Sequence, residues 1–117
     1  MATLTRAEIT DRALEAVGVK AIGQSALAED GNRGLEAFDA VYNRLRKEGL
    51  APFVNSAVPE WAQTQLINLI AHELIPAFGV SGGRAQILFA AKEQAYRDLE
   101  KQVAGYNHNV RTYAEYF

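Results

Sequence analysis

The sequence predicts an all-α fold, a four-helix up-and-down-type bundle that carries an extended C-terminal arm. Apolar residues recur every three to four positions in four segments, which is the period of an amphipathic helix. Glycine follows three of these segments with an apolar residue just beyond it, as at many helix ends. The expected helices cover residues 6–17, 31–48, 59–78 and 84–104, and no useful length of chain alternates as a strand would.

The composition indicates one helical domain, residues 1–105, followed by the arm, residues 106–117. The chain has 117 residues, no cysteine and a net charge of −2. It therefore has no disulfide, no thiolate metal site and no bulk basic footprint for nucleic acid. No apolar run approaches the roughly 20 residues of a membrane span, and the first residues lack a signal-peptide core. We expect a soluble domain made inside the cell.

The first helix is preceded by the T-x-x-E pattern of a capping box, formed by Thr5 and Glu8. Its apolar face repeats at helical spacing, and Gly18 ends it. The residues of that face are Ile9, Ala13, Leu14 and Val17. A connector with a small apolar patch, Ile22 and Leu27, follows.

The second helix is expected to begin near Asp30, which is a favourable N-cap residue. A start at Ser25 would place Gly31 and Gly34 inside the helix, each costing about 1 kcal/mol relative to alanine. Gly49 ends the helix. Its apolar stripe consists of Leu35, Phe38, Val41, Tyr42 and Leu45.

The third helix is apolar around most of its circumference, which is typical of a helix inside a bundle. We therefore expect it to be the central helix on which the others pack. Pro59 fits its first turn, whereas Pro76 should kink its last turn before Gly79 ends it. Its narrow polar stripe consists of Thr64, Gln65, Asn68 and His72.

The fourth helix is expected to begin after Ser81 and to end at Gly105. Its apolar face consists of Leu88, Ala91, Ala95, Leu99 and Val103. The three earlier glycine stops each pair an apolar residue beyond the glycine with an apolar residue in the preceding turn, as a Schellman ending does. The pairs are Val19 with Leu14, Leu50 with Leu45, and Val80 with Ile75. Gly105 breaks this pattern, because Tyr106 would face Lys101.

The sequence offers no catalytic, cofactor-binding or metal-binding residues, and we expect no enzyme activity. His72 and Glu73 begin like the zinc motif H-E-x-x-H, but Pro76 occupies the place of the second histidine. Ser81 has the spacing of G-x-S-x-G within Gly79-Val80-Ser81-Gly82-Gly83, but no strand precedes it as in a nucleophile elbow, and we expect an interhelical turn there. The carboxylates of Glu29, Asp30 and Glu73 leave open a hydrolase with an unfamiliar helical site.

Three further features have two interpretations each. Arg44, Arg46 and Lys47 either complement a helix C-terminus or form a patch that contacts DNA phosphates or a neighbouring subunit. Glu73 is either an ion-paired core residue or part of a subunit contact. The aromatic tail of residues 106–117 either straps its own bundle or docks on a partner.

Four stretches of the chain together resemble one protein family. They are Ala13-Leu14 with Gly18-Val19 and Ile22-Gly23; Glu29-Asp30 with Leu35, Tyr42-Asn43, Leu45 and Gly49-Leu50; Pro59, Leu66, Asn68-Leu69-Ile70-Ala71, Leu74-Ile75-Pro76 and Phe78-Gly79; and the alanine-rich fourth helix with its aromatic tail. The third stretch is the most specific. In these features the chain resembles the head–tail connector proteins of tailed bacteriophages, also called head-completion or portal adaptor proteins. It departs from relatives that carry a tryptophan near the end of the second helix, where Arg46 and Lys47 stand.

The resemblance implies a helical ring of about twelve copies in the virion neck, assembled in the host cytoplasm. The ring would bind the capsid portal protein, extend the channel for genomic DNA without reading its sequence, and present a surface to tail or second connector proteins. In such proteins the C-terminal arm grips the portal. Here the matching residues are Tyr106, Val110, Arg111, Tyr113, Tyr116 and Phe117. The alternative class is a small helical DNA-binding or regulatory protein.

Overall fold

The computed structural model describes the backbone of residues 2–115 and the side chains of residues 2–105. The prediction of an all-α fold is confirmed. The helices are α1 Arg6–Ala16, α2 Ala28–Lys47, α3 Glu60–Glu73, α4 Ile75–Phe78 and α5 Gly82–Glu115. Within the described residues, β-type pairing is limited to one antiparallel bridge that joins Leu4 to Val58.

The prediction that the third helix is central is confirmed. Helix α3 packs against α1, α2 and α5. Ile70 of α3 is fully buried in the core that these helices form. The wholly enclosed large side chains are Ile9, Leu14, Phe38, Val41, Leu45, Val58, Leu66, Leu69, Ile70, Leu74 and Leu99. His72 lies half-buried on the polar stripe of α3, as expected.

A regular four-helix bundle is not confirmed. Helices α1, α2 and α3 pack on one another as a three-helix core, and α5 packs mainly on α3. The helix expected over residues 59–78 is divided, because α3 ends at Glu73 and Pro76 occupies the first turn of the short α4. A proline lacks the N–H that an uninterrupted helix would need there.

The helix ends at Gly18, Gly49 and Gly79 are confirmed as Schellman-type endings. Each glycine has a positive φ, at 81°, 75° and 63° respectively. The amide that follows each glycine donates back to the preceding turn, from Val19 to Leu14, Leu50 to Leu45 and Val80 to Ile75, over 3.0, 2.8 and 3.1 Å. The capping box at Thr5 and Glu8 is also present.

The expected start of α2 is wrong, because the helix begins at Ala28 and Asp30 lies inside its first turn. Gly34 belongs within the helix because a Cβ atom there would lie 2.6 Å from Thr10 Cγ2 of α1. The close approach of the two helices therefore outweighs the helix propensity that glycine lacks. Leu27 occupies the N-cap position and makes no side-chain capping bond. A serine or aspartate cap is worth about 1 kcal/mol relative to an apolar residue.

The expected end of the last helix is also wrong. Helix α5 continues through Gly105 to Glu115, so the arm is helical over residues 106–115 rather than extended. Gly105 does not have the positive φ that ends the earlier helices. At about 1.5 Å per residue, a helix of 34 residues is about 51 Å long. That length accounts for the longest dimension of the molecule, 52 Å.

The helices run between two ends of the bundle. The Leu27 end contains the α1–α2 connection, α4 and the start of α5. There, Arg84 Nη1 lies 3.5 Å from the carbonyl oxygen of Ala16. The Val54 end contains the first residues of the chain and the α2–α3 connection. There, Gln63 Nε2 donates to the carbonyl oxygens of Ala2 and Val58 over 2.9 and 3.1 Å.

Candidate interaction surfaces

Arg44 lies where α2, α3 and α5 meet. Its Nη2 atom is 3.3 Å from Glu73 Oε2 on α3. Burial opposes the charge of Arg44, but attraction to Tyr96 of α5 and to Glu73 outweighs burial and raises the pKa of the guanidinium. Within the chain, Glu73 is therefore an ion-paired residue at this junction, and Arg44 is the residue that links the three helices.

The other two residues of the basic cluster differ from each other. Arg46 Nη1 donates to the carbonyl oxygen of Ala51 over 3.2 Å, and its guanidinium carbon lies 6.0 Å from the centroid of the Tyr42 ring. Lys47 is exposed. Two of the three charges predicted to form a phosphate-facing patch thus already have contacts within the chain, which leaves Lys47 as the member most open to a partner.

His72 packs against the first half of α5. Its ring centroid is 6.0 Å from that of Phe89, and Lys92 Nζ lies 5.7 Å from the same Phe89 centroid. Burial lowers the pKa of His72, and the nearby charge of Lys92 lowers it further. Within the described residues, no three side chains of the types His, Cys, Asp or Glu are grouped to hold a metal ion.

The carboxylates considered for a hydrolase do not form one cluster. Glu29 and Asp30 lie in the first turn of α2, whereas Glu73 binds Arg44 in the last turn of the same helix. Glu29 and Asp30 are neighbours in one turn, whereas Glu73 lines a groove beside Arg33 and Ala37, one to two turns further along α2.

The last part of α5 runs beyond the bundle. Phe89 of α5 faces His72 of α3. Eleven positions back from His72 lead to Trp61, near the start of α3, and eleven positions forward from Phe89 lead to Glu100 of α5. Val103 is the last buried residue of α5 among the described side chains, and the next two residues are exposed. Residues 106–115 therefore project past the Val54 end as the continuation of a packed helix.

The predicted arm residues fall on one line of this helix by backbone register, with one exception. Leu88, Ala95, Leu99 and Val103 form the buried face of α5, and steps of three, four and three positions lead on to Tyr106, Val110 and Tyr113. Arg111 falls off that line. The side chains of these four arm residues lie outside the described part of the structure, and Tyr116 and Phe117 lie outside it entirely.

Several large apolar side chains are exposed among the described residues, including the small apolar patch of the first connector, Ile22 and Leu27. They are Ile22, Leu27, Val54, Ile87 and Phe89, exposed by 87%, 75%, 61%, 70% and 55%. Three of them lie in or beside connections, where no helical period distinguishes a core residue from a surface residue. Recognising Leu27 as the N-cap of α2 would have been the available signal, since an apolar residue is a poor cap.

No described helix combines the length and apolar composition needed to cross a bilayer. Comparison of the chain with family models, curated proteins and solved structures gives no match in any of the three. A functional proposal therefore rests on the surfaces described above and on the resemblance in the sequence.

Proposed function

We propose that this chain is a structural protein of a tailed bacteriophage, an adaptor that forms a ring on the capsid portal. The ring lies in the virion neck, extends the channel for the genome and offers a surface to tail or second connector proteins. Its role is assembly and not catalysis. The proposal joins the resemblance in the sequence to one structural observation, the helix that projects from the Val54 end.

The projecting part of α5, residues 106–115, carries the proposal because it follows Val103, the last buried side chain described in this helix. A separate helix of about ten residues is marginal in water, and most helical stability in proteins comes from packing an apolar face. The register of Tyr106, Val110 and Tyr113 gives residues 106–115 such a face. A groove on the portal protein that receives this face would supply the missing packing, as in other helix-in-groove complexes. The arm thus binds as a helix.

Contact with DNA is a minor and non-specific part of this role. Arg44 is paired with Glu73, whereas Arg46 is exposed and its hydrogen bond to the carbonyl oxygen of Ala51 leaves its charge unneutralised. A ring repeats Arg46 in every copy, and many weak phosphate contacts can then act together. Reversing the charge of Arg46 should keep the circular dichroism spectrum of a folded helical protein and reduce retention of the packaged genome.

Binding to portal rings of the same virus tests the proposal. Val110→Asp places a charge on the apolar line of the projecting helix, whereas Thr112→Asp places the same charge off that line. We expect the wild-type chain and Thr112→Asp to co-sediment with portal rings, and Val110→Asp to remain in solution. Both variants should keep the circular dichroism spectrum of a folded helical protein.

The outcomes separate the candidate functions. If the wild-type chain does not bind the portal, the connector function is wrong. Binding of the free chain to random DNA duplexes at low salt, with no portal binding, would favour the small DNA-binding protein instead. Equal portal binding by both aspartate variants would show that another surface makes the contact.

A further inference from the structure

Leu27 is an exposed leucine where the local structure calls for a polar cap. It is the N-cap of α2, with an extended backbone at φ −62° and ψ 149°, and its side chain makes no capping hydrogen bond. Serine, threonine, aspartate and asparagine are strongly preferred at such a position. A residue that breaks a local rule without compensation inside the fold marks a position with another role.

The connection that carries Leu27 is held in place. The Lys20 side chain is only 8% exposed, and its Nζ lies 3.6 Å from Glu15 Oε1 of α1. The same ammonium group donates to the carbonyl oxygen of Gln24. Lys20 therefore ties the connection to α1 between Ile22 and Leu27, so both exposed aliphatic side chains are presented from a structured surface.

The opposite end of α2 presents a similar feature. Val54 is exposed in the α2–α3 connection, which is fixed by the Tyr42 hydroxyl donating to the carbonyl oxygen of Phe53. The Phe53 ring in turn packs edge-on against Trp61, with their centroids 5.8 Å apart. Lys47 lies in the last turn of α2, directly before this connection.

The two ends are complementary in charge as well as apolar. The first turn of α2 carries Glu29 and Asp30 beside Leu27, and the last turn carries Arg46 and Lys47 before the connection that holds Val54. The helix dipole favours acids at the N-terminus and bases at the C-terminus, which accounts for the charges. It does not account for large aliphatic side chains held in water at both ends.

We propose that the Leu27 end of one copy docks on the Val54 end of a second copy. Ile22 and Leu27 then cover Val54, while Glu29 meets Lys47 of the neighbouring copy. The two surfaces are different, so a pair of copies keeps one free surface of each kind and the contact repeats into a ring or a filament. This inference rests on the proposed function, for which it names the contact between subunits.

Sedimentation of the full chain at rising protein concentration tests the contact. Leu27→Asp removes the exposed leucine and supplies a capping side chain, so it should raise the melting temperature while weakening self-association. Burial of one leucine accounts for about tenfold or more in affinity. A variant that is more stable but dissociated separates a docking role from simple damage to the fold.

A charge exchange tests which two ends meet. Glu29→Lys and Lys47→Glu should each weaken self-association, and an equimolar mixture of the two variants should restore it, because opposite charges then meet again. Glu48→Lys adjoins Lys47 and makes a charge change of the same size and opposite sign, so it should not weaken assembly. High salt should reduce these differences.

Three results would overturn the docking. They are a wild-type chain that remains monomeric at millimolar concentration, wild-type assembly by Leu27→Asp, and a mixture of the charge variants that stays dissociated. The arm is tested separately. Val110→Asp should lose portal binding while it keeps self-association, so failure of the portal contact and failure of the subunit contact give different results.

Discussion

Helix α5 keeps the same sequence period in its packed part and in its last part. Over residues 82–103 the apolar side chains of the helix lie against α3, and Leu88, Ala95, Leu99 and Val103 are buried. Over residues 104–115 the helix continues with the same spacing beyond Val103, the last buried side chain of α5 among those that the structure describes. A helical period therefore predicts a helix with an apolar face, but it does not say whether the face is covered within the chain.

Two glycines of the molecule, Gly79 and Gly105, show that the same residue type can end a helix or lie inside one. Gly79 has a φ of 63° and ends α4, whereas Gly105 has no positive φ and lies inside α5. At Gly79 the following Val80 amide closes the helix onto Ile75 over 3.1 Å. A glycine thus ends a helix here where its neighbours form an apolar clasp, and glycine alone does not.

The largest effect should come from truncating the packed part of α5. Leu99 is 1% exposed, so Leu99→Ala should lower the free energy of unfolding by about 2–5 kcal/mol. Ile70 on α3 is fully buried, so Ile70→Ala should lower the free energy of unfolding by a similar amount. Urea unfolding at neutral pH measures both.

Val110→Ala is the matched truncation in the projecting part. It should change the free energy of unfolding of the free chain by less than about 0.5 kcal/mol, as for a surface substitution. A cost near that of Leu99→Ala would mean that the projecting part packs on the bundle, and the comparison between the two parts would fail.

The glycines should give the next largest effect, with opposite signs. A Cβ atom at Gly105 would have no other atom within 4 Å, and the residue lies in a helix interior. Gly105→Ala should therefore stabilise the helix locally by up to about 1 kcal/mol. Gly79→Ala also has open space, but its positive φ should make the change cost about 1 kcal/mol or more.

Circular dichroism and urea unfolding distinguish these outcomes. The helical signal should rise for Gly105→Ala, and the unfolding midpoint should fall for Gly79→Ala. A loss of helical signal in Gly105→Ala would indicate that the sequence-based helix end at Gly105 was right.

Much of the fold follows from the sequence, for reasons that can be named. The capping box at Thr5 and the three glycine clasps are local, so the residues that decide them are adjacent in the chain. The start of α2 was missed because an apolar residue, Leu27, occupies the N-cap position, whereas Asp30 is the better cap in the sequence. The reason for Gly34 inside the helix is not local, since the contact that favours it comes from Thr10 of α1.

The candidate surfaces were less predictable than the fold. The basic cluster could be found from the sequence, but the pairing of Arg44 with Glu73 joins residues 29 positions apart. The exposure of Leu27 depends on where α2 begins, which the sequence placed too late. The expected helix end at Gly105 was wrong because Gly105 was taken as a stop, whereas α5 continues through it to Glu115.

A smaller effect should appear in the pH dependence of stability. Burial and Lys92 lower the pKa of His72 in the folded chain below its usual value of 6.5. The unfolded chain then binds the proton more strongly, so stability increases with pH through this range. The contribution of neutral His72 is complete above about pH 6.5 and is lost as the pH falls through the folded-state pKa.

His72→Gln should therefore flatten the change in unfolding free energy between about pH 8 and 5.5, above the range where most carboxylates titrate. His108→Gln is the control, because it removes the only other histidine of the chain. An unchanged slope in His72→Gln would contradict the assignment of this titration to the contact between α3 and α5.

Deletion of residues 106–117 tests the central claim most directly, that the projecting helix serves a partner and not its own bundle. Thermal unfolding and co-sedimentation with portal rings are measured on the same truncated protein. The account predicts an unchanged melting temperature, a smaller helical signal and complete loss of portal binding. A truncated protein that unfolds, or one that still binds the portal, would contradict it.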